Sequence, residues 1–186
     1  MSMNEHEKGR SYPSDILARA RRIKLLLLDV DGVLTDGRII FGTDGLELKN
    51  FYSQDGVGLN LIREAGIATG VITARASEMV RRRMGELGFR HIVENAKDKL
   101  KAFEDILAQD GLSADQCAYM GDDWIDLPLF SRVGLALAPA DAVLAVRNRA
   151  HFVTPRPGGR GAVREACALL LVAQGLYEST LARYLE

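Results

Sequence analysis

Asp29 and Asp31 stand two residues apart where the apolar run Leu25-Leu26-Leu27-Leu28 stops, and Gly32 and Gly37 follow at once. Two carboxylates this close repel one another unless a cation or a shared proton holds them, so the pair points to metal binding or acid–base work. The glycines let the chain turn immediately and bring backbone N–H groups close to an anion. A second apolar run, Cys117-Ala118-Tyr119-Met120, ends the same way, in Gly121-Asp122-Asp123-Trp124-Ile125-Asp126. A third, Ile67 to Thr73, closes on Thr73-Ala74-Arg75, and Lys99 opens a helical segment. An Asp-Gly pair alone marks no more than a turn. Two acidic run ends, a threonine at another and a lysine at a helix start form a set that invites a single site. A calcium loop is excluded, because counting from Asp29 its glycine and glutamate places hold Leu34 and Ile40.

The elements that must position these residues follow from periodicity. Four unbroken leucines bounded by Lys24 and Asp29 read as a short strand buried on both faces, as in a parallel sheet. Ser14 to Arg22 has helical spacing, and residues 38–51 hold two β-type runs flanking Asp44-Gly45, a hairpin signal. Asp55 is expected to cap a helix through Ala65, and Ser77 one to Leu87. Ile67 to Thr73, His91 to Val93, Cys117 to Met120, Val133 to Leu137 and His151 to Val153 read as strands. Asp98 to Gln109 carries Leu100, Phe103, Ile106 and Leu107 on one face of a helix, and Gly161 to Gln174 forms a closing helix behind Pro157-Gly158-Gly159-Arg160. Strands alternating with helices at this spacing predict a doubly wound, mostly parallel α/β sheet, in which ligands bind outside the carboxyl ends of the strands.

With 186 residues, 47% of them hydrophobic, the chain can bury one good core. The expected organisation is a loose segment 1–14, one domain over 15–174 with the hairpin as a flap, and a tail over 175–186. A formal net charge of −1 steers nothing toward nucleic acid or an anionic membrane, so the ligand is recognised locally. Cys117 and Cys167 sit in apolar stretches without metal-ligand spacing and read as buried thiols, which fits a reducing cytoplasm. Neither a signal-type apolar core nor a spanning segment is evident. His6, His91 and His151 belong to no constellation.

Asp29-Val30-Asp31-Gly32-Val33-Leu34-Thr35, Thr73, Lys99 and Gly121-Asp122-Asp123-Trp124-Ile125-Asp126, in this order, resemble the four motifs of the haloacid dehalogenase superfamily of phosphohydrolases. The resemblance runs from Leu25 to about Gln174. It implies that Asp29 is a nucleophile forming an acyl phosphate that water later cleaves. It makes Asp31 the general acid and then base. Mg²⁺ is the implied cofactor, held by Asp29, the backbone carbonyl of Asp31 and Asp122, with Asp123 or Asp126 orienting metal-bound water. Thr73 is implied to hydrogen-bond a phosphoryl oxygen and Lys99 to neutralise its charge, with Lys97 and Lys101 as nearby competitors.

Within the superfamily, residues 29–37, the stretch Phe51 to Gly58, and Gly158-Gly159-Arg160-Gly161 through Glu165 resemble the capless phosphatases of eight-carbon keto-sugar acid 8-phosphates. That likeness implies the 3-deoxy-D-manno-octulosonate 8-phosphate reaction of lipopolysaccharide biosynthesis, or a nine-carbon 9-phosphate equivalent, and a homotetramer. Gly32, Thr73, Ala74, Arg75, Lys99 and Arg160 are the implied substrate-binding set; Ala74 stands where relatives have glycine. Arg75 and Arg160 suit a carboxylate, which a guanidinium binds bidentately. A signalling receiver domain shares the small α/β architecture, Mg²⁺ and a phosphorylated aspartate. It is disfavoured because its phospho-accepting residue belongs on the third strand, which here ends in Glu94-Asn95.

Overall fold

The computed structural model describes residues 12–185; the expected loose N-terminal segment lies almost wholly outside them. Eight strands form: β1 (Leu25–Leu28), β2 (Ile40–Phe41), β3 (Glu47–Leu48), β4 (Ala68–Ile72), β5 (His91–Val93), β6 (Cys117–Met120), β7 (Leu135–Ala138) and β8 (Phe152–Val153). Six of them make one sheet in the order β5-β4-β1-β6-β7-β8 with every pair parallel, and β2 and β3 pair antiparallel as a separate ribbon. The helices are α1 (Ser14–Ala20), α2 (Ser53–Glu64), α3 (Glu78–Glu86), α4 (Lys99–Asp110), α5 (Leu127–Phe130), α6 (Leu144–Arg147), α7 (Ala162–Ala173) and α8 (Tyr177–Ala182). None is long and apolar enough to cross a membrane.

The four leucines of β1 are fully buried and divide between two cores. Leu26 and Leu28 face α1, α2, α3 and α7, whereas Leu25 and Leu27 face Phe103, Ile106 and Leu107 of α4 and Leu129 and Phe130 of α5. The period-2 alternation of a strand thus reaches both helical layers, which is why the run carries no polar residue. Because β4 and β5 are added on one side of β1 and β6, β7 and β8 on the other, the strand order switches sides there, and the crevice opens at the carboxyl end of β1.

Two expectations need correction. Asp55 does not cap its own helix: Tyr52 holds that place, and the Asp55 carboxylate crosses to the last long helix, accepting from the backbone N–H of Arg164 at 2.8 Å and of Gly161 at 3.4 Å. Ser77 occupies the cap position of α3 without a side-chain bond, and its own N–H donates to Glu94 Oε1 at 2.7 Å. The expected tail after Gln174 contains a helix, Tyr177 to Ala182, whose Thr180 is buried. The short helices α5 and α6 escaped periodicity because four residues span barely one turn. Asp98 does cap α4, accepting from Lys101 N–H at 3.0 Å, and both cysteines are buried and free.

Candidate active site

The sheet delivers the predicted residues to one place by strand endings alone. Asp29 follows β1, Thr73 follows β4, Asp122 follows β6 by one residue, and Lys99 is the first residue of α4 after β5. Carboxylate oxygens of Asp29, Asp122 and Asp126 lie within 4.8 Å of one another. Glycines make room for this crowding. Gly32 sits at φ +90°, and a Cβ built on it falls 2.1 Å from Asp122 Oδ2; one on Gly121 falls 2.4 Å from Asp126 Cγ. Behind the loop, a Cβ on Gly158 would meet the Gly32 carbonyl oxygen at 1.8 Å, and Gly159 N–H donates to Val33 C=O at 2.9 Å. The glycine-rich turn before α7 therefore buttresses the turn that carries the first acids.

Lys99 ties the cluster together. Its side chain is 3% exposed, and its Nζ lies 3.0 Å from Asp29 Oδ1, 2.7 Å from Asp126 Oδ1 and 3.3 Å from the Tyr119 hydroxyl. Burial pulls the Lys99 pKa down, but the facing carboxylates outweigh it and the net shift is upward. Burial pushes Asp29 up to about 6 against the pull of Lys99, with Asp126 adding to the rise. Asp122 is pushed up to about 7 by burial and then by the charges of Asp29, Asp126 and Asp123. Three crowded acids with one ammonium among them are short of positive charge. The donor set, hard carboxylate oxygens of Asp29 and Asp122 beside a turn where a Cβ on Gly32 would leave them no room, fits Mg²⁺.

Asp126 and Asp123 separate in the structure. Asp126 is fully buried and accepts from Tyr119 O–H at 2.7 Å and from the backbone N–H groups of Asp122 at 2.9 Å and Asp123 at 3.2 Å. Asp123 is turned to its own loop and accepts from Trp124 N–H at 2.7 Å. Thr73 is buried, and its hydroxyl oxygen accepts from Arg75 N–H at 3.4 Å, which leaves its O–H proton for another acceptor. Ala74 is exposed beside it.

Asp31 stands apart from the three clustered acids, 21% exposed, and pairs with Lys49. Arg75 Nε lies 3.9 Å from its other oxygen, and Arg75 Nη2 lies 3.3 Å from Glu47 Oε1. Sequence reading missed Lys49 and Glu47. They sit on the hairpin as ordinary charged residues of a polar-apolar alternation, and only the fold of the ribbon over the crevice brings them in. Arg160 is exposed on the buttressing turn and makes no ion pair with another described residue.

Fold and site together define a hydrolase of the haloacid dehalogenase-like class, and a family model so described matches residues 76–164. The chain is 46% identical over 162 residues to 3-deoxy-D-manno-octulosonate 8-phosphate phosphatase KdsC of Escherichia coli K12, covering 87% of this chain and 86% of that protein. Among solved structures, the phosphatase of the same name from Yersinia pestis superposes with a TM-score of 0.88 at 43% identity over 89% of both chains. That from Moraxella catarrhalis, in complex with magnesium ion, phosphate ion and KDO, gives 0.91 at 39% identity over 93% of this chain and 99% of the other. The chain belongs to the KdsC phosphatase family of haloacid dehalogenase-like hydrolases.

Proposed function

We propose that this chain is a Mg²⁺-dependent phosphatase that converts 3-deoxy-D-manno-octulosonate 8-phosphate to the free sugar acid and phosphate through a phosphoryl group carried on Asp29. The observation that carries the reading is the placement of Asp29: a nearly buried carboxylate at the end of the central strand, fixed 3.0 Å from Lys99 and crowded by Asp122 and Asp126. The Moraxella relative holding magnesium, phosphate and KDO supports the choice of substrate and metal.

Asp29, Asp122 and the backbone carbonyl of Asp31 would hold the cation, which when bound offsets the repulsion between carboxylate and phosphate. Asp29 attacks phosphorus and displaces the sugar oxygen, to which Asp31 gives a proton; Asp31 then takes a proton from the water that cleaves the acyl phosphate. Lys99 orients Asp29 and balances the charge of the transferring group, and the free O–H of Thr73 donates to a phosphoryl oxygen. Asp126, with Tyr119 and two backbone N–H groups, holds Lys99 and the Asp122 loop in place. Asp123 is left to cap its own turn. Arg75 and Arg160 are the cations available for the substrate carboxylate, and Gly32 offers its backbone to the phosphate. One phosphohydrolase domain spans residues 15–174 with the flap 38–51, acting as a cytoplasmic homotetramer.

The test is phosphate release from eight- and nine-carbon keto-acid phosphates with and without Mg²⁺, in wild type and Asp29→Asn. The expected outcome is metal-dependent turnover, highest on the eight-carbon substrate, and a loss of about 10³-fold or more in Asp29→Asn. Preference for the nine-carbon ester would move the substrate assignment; wild-type turnover by Asp29→Asn would overturn the mechanism.

A further inference from the structure

The hairpin has its polarity inside out. Ile39, Ile40, Phe41, Leu46 and Leu48 are all more than two-fifths exposed, whereas the side chain of Lys49, at the ribbon's end, is 1% exposed. Burying an ammonium is costly unless it is paired, so a fold gains nothing from this exchange unless the lysine has work to do. Its partners are Asp31, through Oδ1, and Glu47, whose Oε1 lies 3.5 Å from Nζ. Arg75 reaches the same two carboxylates from the end of β4, at 3.9 Å and 3.3 Å. The four charges alternate in a closed ring, Asp31, Lys49, Glu47, Arg75. Three of its members serve to place the fourth, because Asp31 is the one at the reacting centre.

From this geometry we infer that Lys49 is a positioning residue for Asp31, fixing where that carboxylate stands relative to the leaving oxygen. The inference rests on the proposed function and adds a residue to it. Arg75 alone cannot do the work: its Nε finds no hydrogen-bond partner, so its hold on Asp31 is by charge at a distance, while Lys49 makes the direct contact. The contact comes from the flap, so the acid–base residue is placed only when the flap is down. A displacement of about 1 Å at such a group can cost about 10²-fold in rate.

The experiment compares wild type, Lys49→Met, Lys49→Arg and Asp31→Asn on substituted phenyl phosphates of graded leaving-group pKa at saturating Mg²⁺. A good leaving group departs without a proton, and a poor one needs Asp31 in place. Lys49→Met should lose about 10²-fold in kcat on the poorest leaving group and little on the best, with KM nearly constant; Lys49→Arg should restore most of the loss. Asp31→Asn should show the same steepened dependence. Equal losses on all esters would reduce Lys49 to a structural tie and overturn the inference, as would wild-type rates in Lys49→Met. An unchanged slope in Asp31→Asn would remove both the acid role and the inference. If Lys49→Met does not fold by circular dichroism, Lys49→Gln, which keeps a donor, carries the same comparison with the same two readings. A wild-type protein inert on every ester fails the proposed function itself, a result distinct from any change in slope.

Discussion

Gly32 is where residue chemistry and backbone geometry are hardest to separate. Its φ of +90° is strained for any side chain, and its missing Cβ is the space that Asp122 fills. Gly32→Ala should displace a metal-binding carboxylate while the β1 strand stays buried. We expect the Mg²⁺ concentration for half-maximal activity to rise about 10-fold or more, read from a metal titration of turnover. Metal binding should also depend on pH with a defined sign. Asp29 and Asp122 are pushed up to about 6 and about 7 by burial, and a ligand carboxylate must be ionised. Protons therefore compete with Mg²⁺ below about pH 7, and affinity falls as pH drops toward 6. Isothermal titration at about pH 6 and about pH 8 checks this; equal affinities would contradict it. The sequence made these acids legible because Asp29 stands directly after a run of apolar residues and Asp122 one glycine beyond another, so strand ending and carboxylate nearly coincide. It could not rank Asp123 against Asp126. Both lie in one acidic turn, and what separates them is a 3₁₀ turn that sends Asp126 under Lys99 and Tyr119.

At the scale of elements, the strands, the longer helices and the doubly wound parallel class follow from apolar runs and helical periodicity, whereas the strand order and contacts between elements distant in sequence do not. Asp55 shows why. Its type and place say helix cap, and it is one, but for α7, more than a hundred residues away. It joins α2 to the turn that buttresses Gly32, and so couples the flap's neighbour to the nucleophile loop. Burial pushes Asp55 up to about 6 from an ordinary 3.8, although the N–H groups of Arg164 and Gly161 pull it down. The folded state thus binds a proton that the unfolded chain has released between those values. The resulting stability is fully present below the ordinary pKa and is lost as pH rises through about 6. Asp55→Asn lacks this dependence. Relative to the variant, wild type should lose about 2–3 kcal/mol of unfolding free energy between about pH 4 and about pH 7, at about 1.4 kcal/mol for each pH unit separating the folded and unfolded pKa. Urea unfolding of both proteins across that range measures it, and a constant difference would show that the ionised carboxylate is as well solvated folded as unfolded.

At the scale of the whole molecule the ribbon raises the largest question, since its apolar side has no partner within the described chain. Ile40 is 44% exposed and Leu48 47% exposed, a cross-strand pair on the face of the ribbon opposite to Glu47. An isolated two-stranded hairpin is marginal in water, and a contiguous apolar patch of this kind marks an interface. The inward side is already committed, through Lys49 and Glu47, to Asp31 and Arg75. Ribbons from several copies, packed apolar side to apolar side in a closed symmetric assembly, would hold each flap down over its own crevice. The domain carries nothing else between Arg38 and Phe51 to cover that side of the site. Such an assembly would link association to catalysis through the flap. Ile40→Glu with Leu48→Glu, which places two like charges opposite one another on that face, should give a monomer in sedimentation velocity. It should lower kcat on poor leaving groups by about 10-fold or more, with the thermal transition of the core nearly unmoved, because neither side chain is buried. A wild-type protein that sediments as a fully active monomer at assay concentration would show that the flap closes without a neighbour, and the apolar side of the ribbon would then need another purpose.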